Sequence, residues 1–250
     1  MMTEKMNDKN SRRLNKVIAM SGIASRRKAD ELISLGRVMV NNKVVTLAGT
    51  KVIQGIDSIV VDGKALSNAQ QSIYVILNKP FGYISTLNDP HGRPIILDLL
   101  KDVKKRIFPI GRLDFDSQGL LILTNDGQLA FRLMHPKFHI PRTYKTIING
   151  YLSNKSAAIL EKGIALDDGL THPAHVRIIK KDKDRSTVRI TIFEGRSREI
   201  RRMFEVLGHK TIKLIRTGYG NLVLGDLKVG KFRHIKELEL KTLKTLVGLH

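Results

Sequence analysis

Apolar positions in this chain recur at two spacings that trade places over short distances. From Arg12 onward, Leu14, Val17, Ile18 and Ser21 follow helical spacing, and Gly22 ends the run. A second helix is predicted from Arg26 to Leu35. Ser25 is its N-cap, Ala29, Leu32, Ile33 and Leu35 supply the apolar side, and Gly36 stops it. The spacing then shortens to that of strands: Val38 to Val40, a turn at Asn41-Asn42, Val44 and Val45, and Ile59 to Val61 before a turn at Asp62-Gly63. Residues 12–66 therefore read as two helices followed by a small sheet, preceded by a polar tail over residues 1–10.

Ser67 to Ser72 is short, polar and uncharged, which predicts a linker over 67–72 and a second domain over 73–250. Strands are expected at Tyr74 to Leu77, broken by Asn78-Lys79-Pro80, and at Leu120 to Leu123, Thr143 to Ile148, Thr211 to Ile215 and Leu222 to Leu224. A hairpin is expected from Ala174 to Ile179 and Thr187 to Phe193. Helices are expected at Ile95 to Leu100, Gln128 to Met134 with Asp126 as cap, Ser153 to Glu161, Arg198 to Leu207 and Glu237 to Leu246. Strands and helices intermix but tight hairpins recur. That favours an α+β fold with a mixed, largely antiparallel sheet over a doubly wound parallel one.

Composition narrows the partners. The 250 residues include 44 basic and 23 acidic side chains, a formal charge of +21. Such an excess points first to polyanions: RNA, DNA or an anionic surface. There is no cysteine, which removes disulfides, thiolate zinc sites and cysteine nucleophiles together. No apolar run approaches the roughly 20 residues needed to span a bilayer. Met1 to Arg13 is polar and charged, with no apolar core of a secretory signal, so the expected location is the cytoplasm.

Two dense polar clusters stand out in the second domain. The first, Gly111 to Gly127, sets Arg112 and Asp114 immediately before an apolar strand, the form of a site loop seated on a rigid element. The second, Glu194 to Arg202, packs Arg196, Arg198, Arg201 and Arg202 around a glycine turn and alternates them with Ile200, Met203 and Phe204. One of these arginines must point inward and needs a partner, and Asp114 is the expected one. In the first domain Arg12, Arg13, Lys16, Arg26, Arg27, Lys28 and Arg37 gather on the helical pair. Several sit at helix starts, where they oppose the macrodipole, so a phosphate-binding face explains them better than helix stability does. No phosphate-cradling glycine loop, metal-ligand spacing or Gly-x-Ser-x-Gly elbow is present.

Arg12 to about Asp57, running Arg-Leu-Asn-Lys-Val-Ile-Ala-Met-Ser-Gly-Ile-Ala-Ser-Arg-Arg-Lys-Ala-Asp-Glu-Leu, resembles the S4 RNA-binding domain. The Gly-Arg-Leu-Asp stretch at Gly111, with Asn78-Lys79-Pro80 upstream and Glu194 to Met203 downstream, resembles the RsuA/RluB branch of pseudouridine synthases over nearly all of residues 12–240. The resemblance implies a pseudouridine synthase catalytic domain that isomerises uridine in ribosomal RNA, with no metal and no organic cofactor. It implies that Asp114 is the catalytic residue, that Tyr144 stacks on the target uracil, that Arg201 contacts the catalytic aspartate and that Ile200 lines the base pocket. Arg112 is expected to replace the stacking of the displaced base. Asn88 to Pro94, Leu133 to Pro136 and Leu214 to Gly220 resemble the large-subunit (23S) RluB type more than the small-subunit (16S) RsuA type.

The chemistry suits these residue types. A carboxylate can attack the sugar or abstract one of its protons, a guanidinium keeps it ionised, and an aromatic ring holds the detached base. The expected partner is ribosomal RNA or a large-subunit assembly intermediate, met by a monomer with no membrane contact. Two other readings remain at this point. One is a non-catalytic rRNA-binding assembly factor. The other is a glycoside hydrolase using Asp114 and Asp116, which would share a face on a strand.

Overall fold

The computed structural model describes residues 11–66 and 70–249. The polar tail expected at residues 1–10 and the Ser67–Ala69 part of the expected linker lie outside the described residues. The chain divides into two compact units, 1–72 and 73–250.

The first unit runs β1 (Ser11–Arg13), α1 (Leu14–Met20), α2 (Arg26–Ser34), β2 (Val38–Val40), β3 (Lys43–Val44), β4 (Lys51–Ile53), β5 (Ile59–Val61) and β6 (Lys64–Ala65). Antiparallel strands in the order β3-β2-β5-β6 form its sheet, and β1 pairs with β4. Leu14, Val17 and Ile18 of α1 and Ala29, Leu32 and Ile33 of α2 bury against Val38, Val52, Ile59 and Val61. Ser25 caps α2 by accepting the Lys28 N–H at 3.1 Å, and Asn15 on α1 donates to both Asp30 oxygens on α2 at 2.9 Å. Arg12 and Arg13, expected on the first helix, lie on β1 instead. They pair there with Val52 and Lys51 of β4, a strand too short for the sequence pattern to mark.

The second unit runs β7 (Tyr74–Lys79), a 3₁₀ turn (Ile96–Leu99), β8 (Phe108–Ile110), β9 (Gln118–Thr124), α3 (Gly127–Met134), β10 (Arg142–Asn149), α4 (Asn154–Lys162), β11 (Ala165–Leu166), β12 (Gly169–Leu170), β13 (His175–Lys181), β14 (Arg185–Ile192), α5 (Glu199–Val206), β15 (Thr211–Tyr219), β16 (Leu222–Val223), β17 (Phe232–His234) and α6 (Glu237–Thr245). Its nine-stranded sheet follows β13-β14-β10-β15-β9-β7-β17, with β8 added on β9 and β16 on β15. Only β9–β15 is parallel, so the sheet is mixed and largely antiparallel within an α+β fold.

Both faces of the central strands are covered, which is why they read as continuous apolar runs. Val75, Leu77, Leu121 and Leu123 face one core with Leu160 of α4 and Met203 and Phe204 of α5. Their neighbours Ile76, Leu120 and Ile122 face the other with Leu129 and Leu133 of α3 and Leu243 of α6. Asn78-Lys79 does not break β7 as expected. Both residues stay in the ladder, opposite Leu120 and Gly119 of β9, and Asn78 also donates from its side chain to the Leu227 carbonyl at 2.7 Å. At the parallel junction Gly119 has φ +114°, and a Cβ there would lie 2.2 Å from the Arg216 carbonyl oxygen, so β9 and β15 can meet only at a glycine.

Candidate active site

The Gly111 stretch enters β9 through a turn closed by the Ser117 N–H on the Asp114 carbonyl, 3.1 Å. Two side chains hold the backbone of this turn from below. Lys79, fully buried at the end of β7, donates from Nζ to the carbonyls of Pro80 (3.0 Å), Asp114 (3.0 Å) and Ser117 (2.8 Å). Ser85 Oγ donates to the Leu113 carbonyl at 2.7 Å and accepts the Leu113 N–H at 3.0 Å. Burial lowers Lys79 to about 8. The charges of Asp114 and Asp116 pull it back up, and that of Arg216 pushes it down. The sequence pattern presented Lys79 only as part of a strand break.

Above this turn lies a cleft of about 550 Å³. Asp114 and Arg112 line it from the loop, Tyr144 from β10 and Ile200 from the first turn of α5. Four of the five residues expected at the pocket thus converge. The fifth, Arg201, lies behind it: its Nη2 donates to the Asp116 carbonyl at 2.7 Å and sits 3.3 Å from the Asp116 carboxylate, while Nη1 reaches the Thr211 carbonyl at 3.2 Å. Arg198 Nη1 and Nη2 add contacts to the same carboxylate at 3.2 Å.

Two expectations are corrected here. The inward arginine pairs with Asp116, not Asp114. Asp114 and Asp116 also share no strand face, because both precede β9 on the turn. Asp116 is directed to α5, while Asp114 lines the cleft.

Arg142, Arg216 and Tyr219 are among the cleft-lining residues that the sequence did not single out. Arg216 lies opposite Tyr144 across β10–β15. It is 2 % exposed, and its Nε donates to the Leu120 carbonyl at 2.7 Å. The guanidinium carbons of Arg216 and Arg142 lie 5.3 and 5.2 Å from the ring centroid of Tyr219. The Tyr219 hydroxyl donates to the Leu133 carbonyl at 2.8 Å. Arg142 and Tyr219 face each other in the ladder, as Tyr144 and Arg216 do, so register alone assembles this wall.

The Glu194–Arg202 segment closes the far side. Burial raises the Glu199 carboxyl to about 7, with the neighbouring Glu194 charge adding to the rise and the Arg196 N–H on Oε2, 3.0 Å, opposing it. Burial also pushes Glu194 upward, but the His172 amide, Arg196 and the Glu199 hydrogen bond outweigh it and hold its carboxyl below the usual range. Glu199 is therefore the partner that carries the shared proton. Arg196 also reaches the carbonyls of Asp168, Gly169 and Leu170, and Arg202 pairs with Asp168 at 3.0 Å, tying the segment to β11–β12.

In the first unit Arg13, Arg26, Arg27, Lys28 and Arg37 are exposed, and Arg12 and Lys16 are half-buried. Lys28 pairs with Glu31 at 2.5 Å and Arg37 with Asp62 at 2.6 Å. Among the described residues no three His, Asp or Glu side chains gather in a metal-holding group, and no helix is long and apolar enough to cross a membrane.

Comparison with known proteins follows this architecture. The RNA pseudouridylate synthase family matches residues 73–206, and the S4 domain matches residues 12–55. A Bacillus subtilis protein named ribosomal large subunit pseudouridine synthase B is 47 % identical over 94 % of this chain and 96 % of its own length. A Haemophilus influenzae protein of the same name is 35 % identical over 95 % of this chain and 68 % of its own. A crystal structure of a pseudouridylate synthase superposes with a TM-score of 0.67 at 31 % identity, covering 92 % of this chain and 99 % of that one. Sequence, fold and cleft agree: the chain belongs to the RNA pseudouridylate synthase family, isomerases that convert uridine in RNA to pseudouridine, and carries an S4 domain ahead of the catalytic one.

Proposed function

We propose that this protein isomerises a uridine of large-subunit ribosomal RNA to pseudouridine, with Asp114 as the catalytic residue. The observation that carries the assignment is the Asp114 carboxylate in the cleft beside Tyr144, with its backbone fixed by Lys79 and, among the described residues, no ion pair of its own. The large-subunit substrate is taken from the names of the Bacillus and Haemophilus relatives.

The reaction breaks N1–C1′, turns the base and forms C5–C1′. The C5 proton is lost to water and N1 gains one. Asp114 acts on the sugar, as nucleophile or as base. Tyr144 holds the uracil by its face, Ile200 closes the apolar side, and the exposed Arg112 takes up the gap left by the displaced base. Arg201 acts through Asp116 to hold the turn. Arg12, Arg13, Lys16, Arg26, Arg27, Lys28 and Arg37 form the phosphate-contacting face of the S4 domain, and the protein works as a cytoplasmic monomer.

Tritium release from C5-labelled uridine in large-subunit rRNA tests this reading. The intact protein is expected to release tritium from one mapped uridine, and Asp114→Ala and Asp114→Asn none above background. Release only from small-subunit rRNA would reassign the substrate. Tight binding with no release from naked rRNA or assembly intermediates would make the protein a binding factor.

A further inference from the structure

Phe81 and Phe115 stand exposed beside the cleft, with 63 % and 49 % of their surfaces accessible. Their ring centroids are 6.0 Å apart and the planes are tilted by 53°. Neither ring belongs to either core of the second unit. Single exposed apolar side chains are ordinary, but two aromatic rings in contact at the edge of a site form a patch.

The backbone beneath these rings is tied down twice. Lys79 Nζ binds the carbonyls of Pro80 and Asp114, the residues directly preceding Phe81 and Phe115. The Gly82 N–H, donating to the Phe115 carbonyl at 2.9 Å, ties the two loops a second time. The buried ammonium that fixes Asp114 thus also holds the backbone that carries both rings, and Phe115 is next in sequence to the residue that lines the cleft.

We propose that Phe81 and Phe115 form a stacking platform for unpaired bases of the substrate RNA next to the target uridine; this rests on the RNA-modifying function proposed above. Extracting one nucleotide leaves neighbouring bases with uncovered faces, and phenyl rings cover such faces whatever the base. Phenylalanine has no polar atom on its ring, so the platform supports without reading sequence. The exposed Arg112, three residues before Phe115 on the same loop, and the formal charge of +21 favour a polyanionic ligand over an apolar protein surface.

Three double variants test the platform: F81S/F115S, F81L/F115L and F81Y/F115Y. Both positions are exposed, so wild-type melting temperatures are expected throughout. On C5-tritiated large-subunit rRNA, the Ser and Leu pairs are expected to lose about ten- to a hundredfold in kcat/KM, and the Tyr pair to stay near wild type. The salt slope of binding should not change in any of them, because no charge is removed. In parallel, a single-stranded RNA oligonucleotide carrying 2-aminopurine beside a uridine should change fluorescence on binding the wild type and the Tyr pair but not the Ser or Leu pairs. Wild-type behaviour of the Leu pair in both assays overturns stacking, and wild-type behaviour of the Ser pair overturns any role for the rings. If the intact protein releases no tritium, the isomerase reading fails, and the fluorescence assay alone decides the platform.

Discussion

Asp114 and Asp116 sit two residues apart on one turn, in opposite surroundings. Asp116 receives Arg198 and Arg201 on its carboxylate, and Arg201 again on its carbonyl. Asp114 is held only by its backbone, through Lys79 and Ser117, and among the described residues no side chain pairs with its carboxylate. The arginine cluster that looked like machinery in the sequence is largely fastening: Arg198 and Arg201 hold the turn to α5, and Arg196 and Arg202 hold the same segment to β11–β12. A carboxylate already engaged by two guanidinium groups has its lone pairs committed, whereas Asp114 keeps its own for the substrate. Replacing each aspartate by asparagine should separate the two roles. Asp114→Asn is expected to abolish tritium release while the melting temperature stays at the wild-type value.

Asp116→Asn is the next largest change and has the opposite signature. It leaves Arg201, 6 % exposed, without the carboxylate it pairs with and with only the weaker pull of the Asp114 and Glu205 charges. Removing one partner of a buried pair costs about 3 kcal/mol, and somewhat less here because Asp116 retains some solvent. The expected outcome is a clear drop in the urea midpoint, with turnover reduced but measurable. Adding Arg201→Met should cost less than the sum of the two single changes, a coupling that a double-mutant cycle reads directly. Should Asp116→Asn abolish release with no loss of stability, the roles of the two aspartates are reversed.

How legible each feature was in the sequence follows from the range of the interactions that create it. The central strands were readable because Tyr74–Leu77 and Leu120–Leu123 are apolar on both faces, and the N-caps Ser25, Asp126 and Ser153 because a cap acts within three residues. Phe232–His234 carried no such signal: it is a strand only because it lies along β7. Asp114, Tyr144 and Ile200 were marked by local motifs, and the structure brings them to one cleft. Lys79 was hidden because two of the carbonyls it binds are 35 and 38 residues away. The arginine was assigned to Asp114 because an inward guanidinium calls for a partner without naming it, and the turn that directs Asp116 rather than Asp114 to α5 is set by contacts more than 80 residues apart.

Lys79 offers a graded way to loosen the backbone of the turn, through the Asp114 and Ser117 carbonyls, without removing the ion pairs of Asp116. As an ammonium it has three protons for three carbonyls, and as an amine only two. Its position near 8 predicts that the single-turnover rate falls as pH rises through about 8. The linkage has the other sign. An unfolded lysine keeps its proton to about 10.5, so between 8 and 10.5 the unfolded chain binds more protons and this group adds stability as pH rises. Turnover should therefore decline over a range where this lysine causes no loss of stability. A rate that stays flat to pH 9.5 would show that the turn does not need the charged form.

The smallest expected effect on turnover comes from a third carboxylate, Glu199, which lines the same cleft but holds a proton up to about 7. An unfolded glutamate titrates near 4.5, so between 4.5 and 7 the folded chain binds more protons than the unfolded one. The stability this group contributes is complete below about 4.5 and is lost as pH climbs to 7. Glu199→Gln keeps an oxygen for the Arg196 N–H and a donor for Glu194 but cannot ionise. Urea midpoints at pH 5, 6, 7 and 8 should fall more steeply in the wild type than in the variant up to pH 7 and run parallel above it. Parallel curves over the whole range would mean that Glu199 is ionised when folded, and the cleft would then hold a second charged carboxylate in place of a neutral wall facing Asp114.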